Sequence, residues 1–189
     1  MIRLKSTARC LRTPDVVMAL EELAVPYELE RVGDGYFSGA FGRIGPQLLD
    51  GELAVFEPAA IIRHLARQHA PFTGAEACAA DQWMDFAISQ LRPAAARLGA
   101  QRMAPGGGAA ASIADETQKL TTALAVLEHQ VRDREFLLGR FTVVDCAFSL
   151  LAVLPMFGLD LAPFEALSAY RARLLARPSW SRTLARVQS

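Results

Sequence analysis

An α/β amino-terminal half followed by an all-α carboxyl-terminal half is the fold class this sequence predicts. Three observations carry it. Residues 2–31 read as strand, helix, strand. Residues 45–66, "GPQLLDGELAVFEPAAIIRHLA", read as two short strands about an Asp-Gly turn, then a helix. From about residue 75 the long apolar stretches recur at helical period, and strand-like alternation does not return.

The elements follow in order. "IRLKS" is a short strand. Thr13, Pro14 and Asp15 read as an N-cap, a proline in the first turn, and an acid facing the positive end of a helix. "DVVMALEELAV" then puts Val16, Ala19, Leu20 and Leu23 on one helical face, and Pro26 stops it. "YELERV" alternates as a strand does, so the unit is β-α-β, with a parallel pair and a right-handed crossover. Residues 33–45 hold five glycines and no period, and read as a loop or one broken helical turn. "QLLD" and "LAVF" flank Asp50-Gly51, a two-residue hairpin signal. "EPAAIIRHLARQHA" is helical, with Ile61, Ile62 and Leu65 inward and the arginines outward.

Residues 69–76, "HAPFTGAE", read as the linker, which divides the chain into domains of residues 1–70 and 71–189. Four segments beyond it have helical period: "ACAADQWMDFAISQLRPAAARLGAQRM", "IADETQKLTTALAVLEHQVRD", "VVDCAFSLLAVLPMF" and "PFEALSAYRARLLARP". "APGGGAAAS" is a flexible connection between the first two. Thr142-Val-Val-Asp145 is a capping box, with Phe141 placed as its hydrophobic staple.

Composition excludes several classes of function. Twenty basic residues balance twenty acidic ones, so no global field recruits nucleic acid or an anionic membrane. No apolar run reaches the roughly 18–20 residues of a membrane span, and "MIRLKSTARC" lacks the apolar core of a secretory signal. The three cysteines, at 10, 78 and 146, have no metal-ligand spacing and are odd in number, which points to a reducing compartment, the cytoplasm. His64, His69 and His129 have no metal or triad company in the sequence; packing is the expected role of His64.

Three blocks carry a resemblance. "GPQLLDG" with "FEPAAIIRHLA" keeps the intervals of a Val-Pro-x-Leu-x-Asp-Gly … Glu-Ser pattern, with Pro46, Asp50, Gly51 and Glu57 in register. "REFLLGRFTVVDCAF" is similar to Phe-Leu-x-Gly-x-x-Thr-x-x-Asp, and "AYRARLLARPSWSR" to a terminal Tyr-x-x-Arg … Arg-Pro segment. The chain thereby resembles the cytosolic glutathione transferase superfamily over essentially its whole length. The resemblance implies a thioredoxin-like amino-terminal domain, an all-helical carboxyl-terminal domain, and glutathione as co-substrate with no metal. It also implies a homodimer, and a cis bond before Pro46 that turns the backbone of Gly45 toward the cysteinyl part of glutathione. Glu57 would sit beside the γ-glutamyl group, and Arg43 could reach a peptide carboxylate. Pro58 departs from the pattern. The usual serine gives its hydroxyl and N–H to the γ-glutamyl carboxylate, and proline has neither.

Two candidates remain for the group that acts on the thiol. Cys10 falls at the cysteine of the family's Cys-x-x-Ser variant and Thr13 at its serine. A cysteine at a helix start, flanked by Arg9 and Arg12, is in the setting that favours a thiolate, and would form a mixed disulfide with glutathione. Thr13 would instead hydrogen-bond a glutathione thiolate. Otherwise Cys10 is a small buried hydrophobe and Thr13 only a cap. Trp83, Met84 and Phe86 form a stripe that could line a pocket for the second substrate between the halves, or simply be core. The expected function is glutathione-dependent transfer, thiol reduction or isomerisation of a small hydrophobic or electrophilic compound. The competing one is a non-catalytic binding or regulatory module on the same scaffold, which Pro58 favours.

Overall fold

Side-chain alternation sets β1, Ile2–Ser6: Ile2, Leu4 and Ser6 are buried and Arg3 faces out. The structure, a computed structural model, describes residues 1–8, 10–33, 35–36 and 45–188. Arg43 and most of the glycine-rich stretch therefore lie outside the described residues. Two compact units divide the chain, Met1–Ala77 with Ala176–Ser189, and Cys78–Leu175.

In the first unit β1 leads to α1, Thr13–Glu22, and then β2, Tyr27–Arg31, which runs parallel to β1 from Ile2↔Tyr27 to Ser6↔Arg31. β3, Gln47–Asp50, lies antiparallel on the other side of β1, and β4, Leu53–Phe56, is antiparallel to β3. The order β2-β1-β3-β4 is therefore a mixed sheet. α2, Pro58–His69, closes the set, and Leu4, Val16, Val17, Leu20, Leu48, Ile61, Ile62 and Leu65 form the buried core between sheet and helices.

Two local readings shift by one residue. Asp50 pairs with Leu53, so the tight turn is Gly51-Glu52, with Gly51 at φ +61°, where a side chain is disfavoured. Arg12, not Thr13, is the N-cap of α1; Thr13 is the first helical residue. At its other end α1 closes in a Schellman motif. Val25 N–H bonds to Leu20 O at 3.0 Å and Ala24 N–H to Glu21 O at 3.4 Å. Ala24 holds the left-handed position, at φ +52°.

α8, Pro178–Gln188, belongs to this first unit and packs on α1. The Glu22 carboxylate accepts hydrogen bonds from Arg177 and from the Ser179 hydroxyl, and Glu21 accepts Arg182 Nε at 2.7 Å. Arg31 of β2 donates through Nη2 to the carbonyls of Arg186 and Val187 at 3.1 and 2.6 Å, meeting orphan acceptors of the last helical turn.

The second unit is helical. α3, Gly74–Phe86, and α4, Arg92–Met103, are joined by a π-helical turn, Ala87–Leu91. α5, Ala110–Val131, packs on α4 and on α7, Glu165–Leu175. Its Glu128 accepts the N–H groups of Ala166 and Leu167 at 3.2 and 2.7 Å, capping α7 from outside. Gly99 of α4 meets the Phe157 ring so closely that a Cβ there would sit 3.0 Å from it.

The expected helix over "VVDCAFSLLAVLPMF" is α6, Val143–Cys146, followed by two 3₁₀ turns, Ser149–Ala152 and Leu154–Phe157. Pro155 has no N–H for a continuous ladder, and a segment apolar on every side has no stripe to fix a 3.6 period. The capping box at its head is present: Thr142 N–H and hydroxyl donate to Asp145 Oδ2 at 2.8 and 3.3 Å. Phe141 packs edge-on against Phe136, with centroids 5.3 Å apart. Among the described residues no helix is long and apolar enough to cross a membrane.

Candidate functional site

The loop from β1 to α1 turns back on itself. Cys10 N–H bonds to Thr7 O at 3.3 Å, and Thr13 N–H to Cys10 O at 3.2 Å. The turn presents the half-buried Cys10 thiol to the strand entering from the other side of the sheet, where Sγ donates to Gly45 O at 3.5 Å. The Gly45-Pro46 peptide is cis, and both residues are buried. Thus two residues far apart in sequence, singled out by separate motifs, meet at one end of the sheet.

Thr13 sits differently. It is 1% exposed, and its hydroxyl is hydrogen-bonded to that of Ser6 inside the core. The hydroxyl ties α1 to β1.

Glu57 is the N-cap of α2, at φ +69° and ψ +123°. Proline at the next position holds ψ extended; the positive φ is a strained conformation for a residue with a Cβ, costing about 1–3 kcal/mol. Two contacts favour it. Its carbonyl accepts the first helical bond, from Ile61 N–H at 3.0 Å. Its carboxylate accepts Arg12 Nη1 at 3.0 and 2.9 Å through its two oxygens. The side chains are 31% and 44% exposed, so this ion pair lies at the surface of the first unit. A guanidinium at the start of α1 opposes the helix dipole, and Glu57 offsets that charge. Pro58 is buried and begins α2 without a donor. Sequence reasoning missed the Arg12–Glu57 pair. The available signal was that both charges immediately precede the first residue of a helix on neighbouring elements.

His64 does more than pack. His64 Nε2 and Asp50 Oδ2 are 2.9 Å apart, and Gln68 donates to the same oxygen at 3.1 Å. These bonds, that of His64 foremost, hold the Asp50 carboxyl below its ordinary value, and they pin the β3-β4 turn to α2. In the second unit Trp83 and Met84 are buried at 5% and 1% exposure. Phe86 is half-buried, edge-on to Trp83 with centroids 5.5 Å apart. Among the described residues there is no group of three His, Cys, Asp or Glu that could hold a metal ion.

Comparison with known proteins bears on the family and the fold. Residues 80–178, just over half the chain, match the family described as Glutathione S-transferase, C-terminal domain. A glutathione S-transferase of Silene vulgaris is 28% identical over 97% of this chain and 97% of its own length. Among solved structures, the theta class glutathione S-transferase of Xanthomonas axonopodis pv. citri, with glutathione bound, is 26% identical. It superposes with a TM-score of 0.85 over 100% of this chain and 98% of that one. A glutathione transferase family member of Pseudomonas fluorescens, with two glutathione bound, matches in fold at 24% identity and a TM-score of 0.86, over 97% of this chain and 92% of that one. On the family match and the shared two-part fold, the chain belongs to the cytosolic glutathione transferase superfamily.

Proposed function

We propose that this protein binds glutathione on its first unit and transfers glutathionyl groups through Cys10. The observation that carries the reading is the Cys10 Sγ contact with Gly45 O. It sets a half-buried thiol against the backbone that, by resemblance, pairs with the cysteinyl part of the ligand. The glutathione-bound structures of the relatives support the same ligand. Thr13 is the weaker candidate, because its hydroxyl is already held by Ser6.

The steps balance as thiol–disulfide exchange. Cys10 thiolate attacks the glutathionyl sulfur of a mixed disulfide on a small hydrophobic compound. The S–S bond breaks, and the compound leaves as a thiolate and takes a proton. A second glutathione, as thiolate, attacks the Cys10–glutathione disulfide. Glutathione disulfide leaves and Cys10 is restored. One mixed disulfide is reduced, and two glutathione moieties end as one disulfide. A reducing cytoplasm suits a chain whose Cys10, Cys78 and Cys146 form no disulfide.

A second reading, a binding or regulatory module without turnover, has one specific support: α2 begins at Pro58, where the family pattern has two donors for the ligand. Intact-mass analysis after incubation with glutathione disulfide, joined to an assay of glutathione-dependent disulfide reduction, separates the two. The expected result is one glutathionyl group, on Cys10. Turnover should be lost in Cys10→Ser and kept in Cys78→Ala. An adduct confined to Cys78, or turnover unaffected by Cys10→Ser, would refute transfer by Cys10.

A further inference from the structure

We propose that the outer edge of β2 is a docking site for an extended segment of another protein, one whose side chains alternate basic, apolar, basic. The inference rests on the first unit alone and is independent of the glutathione reading. In the order β2-β1-β3-β4, β2 is an edge strand, and among the described residues no strand pairs with its outer side. Val32 N–H bonds inward, to Ser6 O of β1 at 3.0 Å. Backbone groups alternate in direction along a strand, so Glu28 and Glu30 turn theirs toward β1 as well. Tyr27, Leu29 and Arg31 therefore aim their N–H and C=O groups outward, without backbone partners among the described residues. A recess of about 390 Å³ opens along that same edge, lined by these three residues with Met1, Glu28 and Arg186.

Charge selects the occupant. The two guanidinium groups of the recess are engaged. Arg31 donates to the carbonyls of Arg186 and Val187, and Arg186 lies 5.6 Å from the Tyr27 ring centre and 3.8 Å from Glu21. Glu28 is exposed and has no partner for its carboxylate among the described residues. With Glu30 it occupies the face of the strand opposite to Tyr27, Leu29 and Arg31. The inner edge already shows what this row accepts. There β1 lays Arg3, Leu4 and Lys5 beside Glu28, Leu29 and Glu30, and Lys5 Nζ meets Glu30 at 3.4 Å. A segment on the outer edge meets the same acidic row and the same half-buried leucine. Running antiparallel, it exchanges two hydrogen bonds with each outward residue. A second copy of β2 fits badly. With Leu29 opposite Leu29, Glu28 of each copy faces Glu30 of the other, and like charges directly opposite are destabilising.

The test follows amide hydrogen exchange in the whole ¹⁵N-labelled protein with three capped peptides as probes. The first is acetyl-Val-Lys-Val-Lys-Val-amide, the second has glutamate for both lysines, and the third is the first with its backbone nitrogens methylated. At saturation the basic peptide should slow exchange at Tyr27, Leu29 and Arg31 about tenfold or more. The amides of Glu28 and Glu30, already paired with β1, should not change. The acidic and the methylated peptides should protect none of the three. Glu28→Lys should weaken the basic peptide about tenfold and admit the acidic one. Glu28→Gln, a milder change at this exposed position, should fall between. Equal protection by the acidic or methylated peptide, protection that ignores Glu28→Lys, or none at millimolar basic peptide would each overturn the proposal. Protection at these amides that deepens with protein concentration alone would also overturn it, in favour of a second copy.

Discussion

Pro58 occupies the first turn of α2 with neither hydroxyl nor N–H to offer, yet the helix start itself is sound because proline fits the first helical positions. Serine fits there too. Pro58→Ser should therefore leave the thermal transition nearly unmoved while tightening glutathione about tenfold by calorimetry, the worth of one hydrogen bond to a charged group at roughly 1.5 kcal/mol. Pro58→Ala, which restores only the N–H, should gain less. Asp145 is a different kind of residue. It is fully buried, and accepts from Leu137 N–H at 3.2 Å, Thr142 N–H at 2.8 Å and Tyr170 OH at 3.0 Å. Burial outweighs those donors and pushes its carboxyl up from 3.8 to about 6. The unfolded chain thus loses this proton first, and the group's contribution to stability falls as pH rises from about 4 to about 6, then stays level. A ¹³C carboxyl titration with a midpoint near 6 is the check. Asp145→Ala leaves buried donors without an acceptor and should cost about 3–5 kcal/mol in urea unfolding.

Helix ends decide much at the scale of elements. The Schellman close of α1 puts alanine where glycine usually stands, at φ +52°. Ala24→Gly should stabilise by about 0.5–1 kcal/mol, since the left-handed penalty removed exceeds the entropy added to the unfolded chain, and the melt should rise by a few degrees. The α1–α8 contact turns on Glu22. Burial by itself would raise that carboxyl, but the bonds from Arg177 and Ser179 prevail and hold it below its ordinary 4.5. A lowered folded value means its contribution is present above that pH and fades as pH falls through the folded value. The stability gap between the unmutated protein and Glu22→Gln should accordingly narrow below about pH 4, read from thermal melts at several pH values. These elements were legible where a segment carries its own period. Strands β1 and β2 alternate, and α2 shows its stripe. The β3-β4 turn came one residue late because Asp50 is engaged by His64 and Gln68, 14 and 18 residues further on. No local pattern records that. Similarly, Cys10 and Glu57 stand out by motif, whereas Arg12 gains its meaning only from a contact 45 residues away.

The whole molecule carries one expectation from its family, a homodimer, so light scattering at micromolar concentration should give twice the 20.5 kDa of the chain. A single chain mass would remove that expectation. It also carries three thiols in three settings: Cys78 exposed, Cys10 half-buried against Gly45, and Cys146 fully buried in the second unit. Reagent should therefore reach them in sequence. Cys78 should modify at the rate of an unhindered thiol, Cys10 at a rate that added glutathione slows if it binds as proposed, and Cys146 only when the second unit opens. The protein is in this sense its own probe. A time course of alkylation, read by mass, counts site occupancy at one sulfur and unfolding of the helical unit at another, with no label introduced.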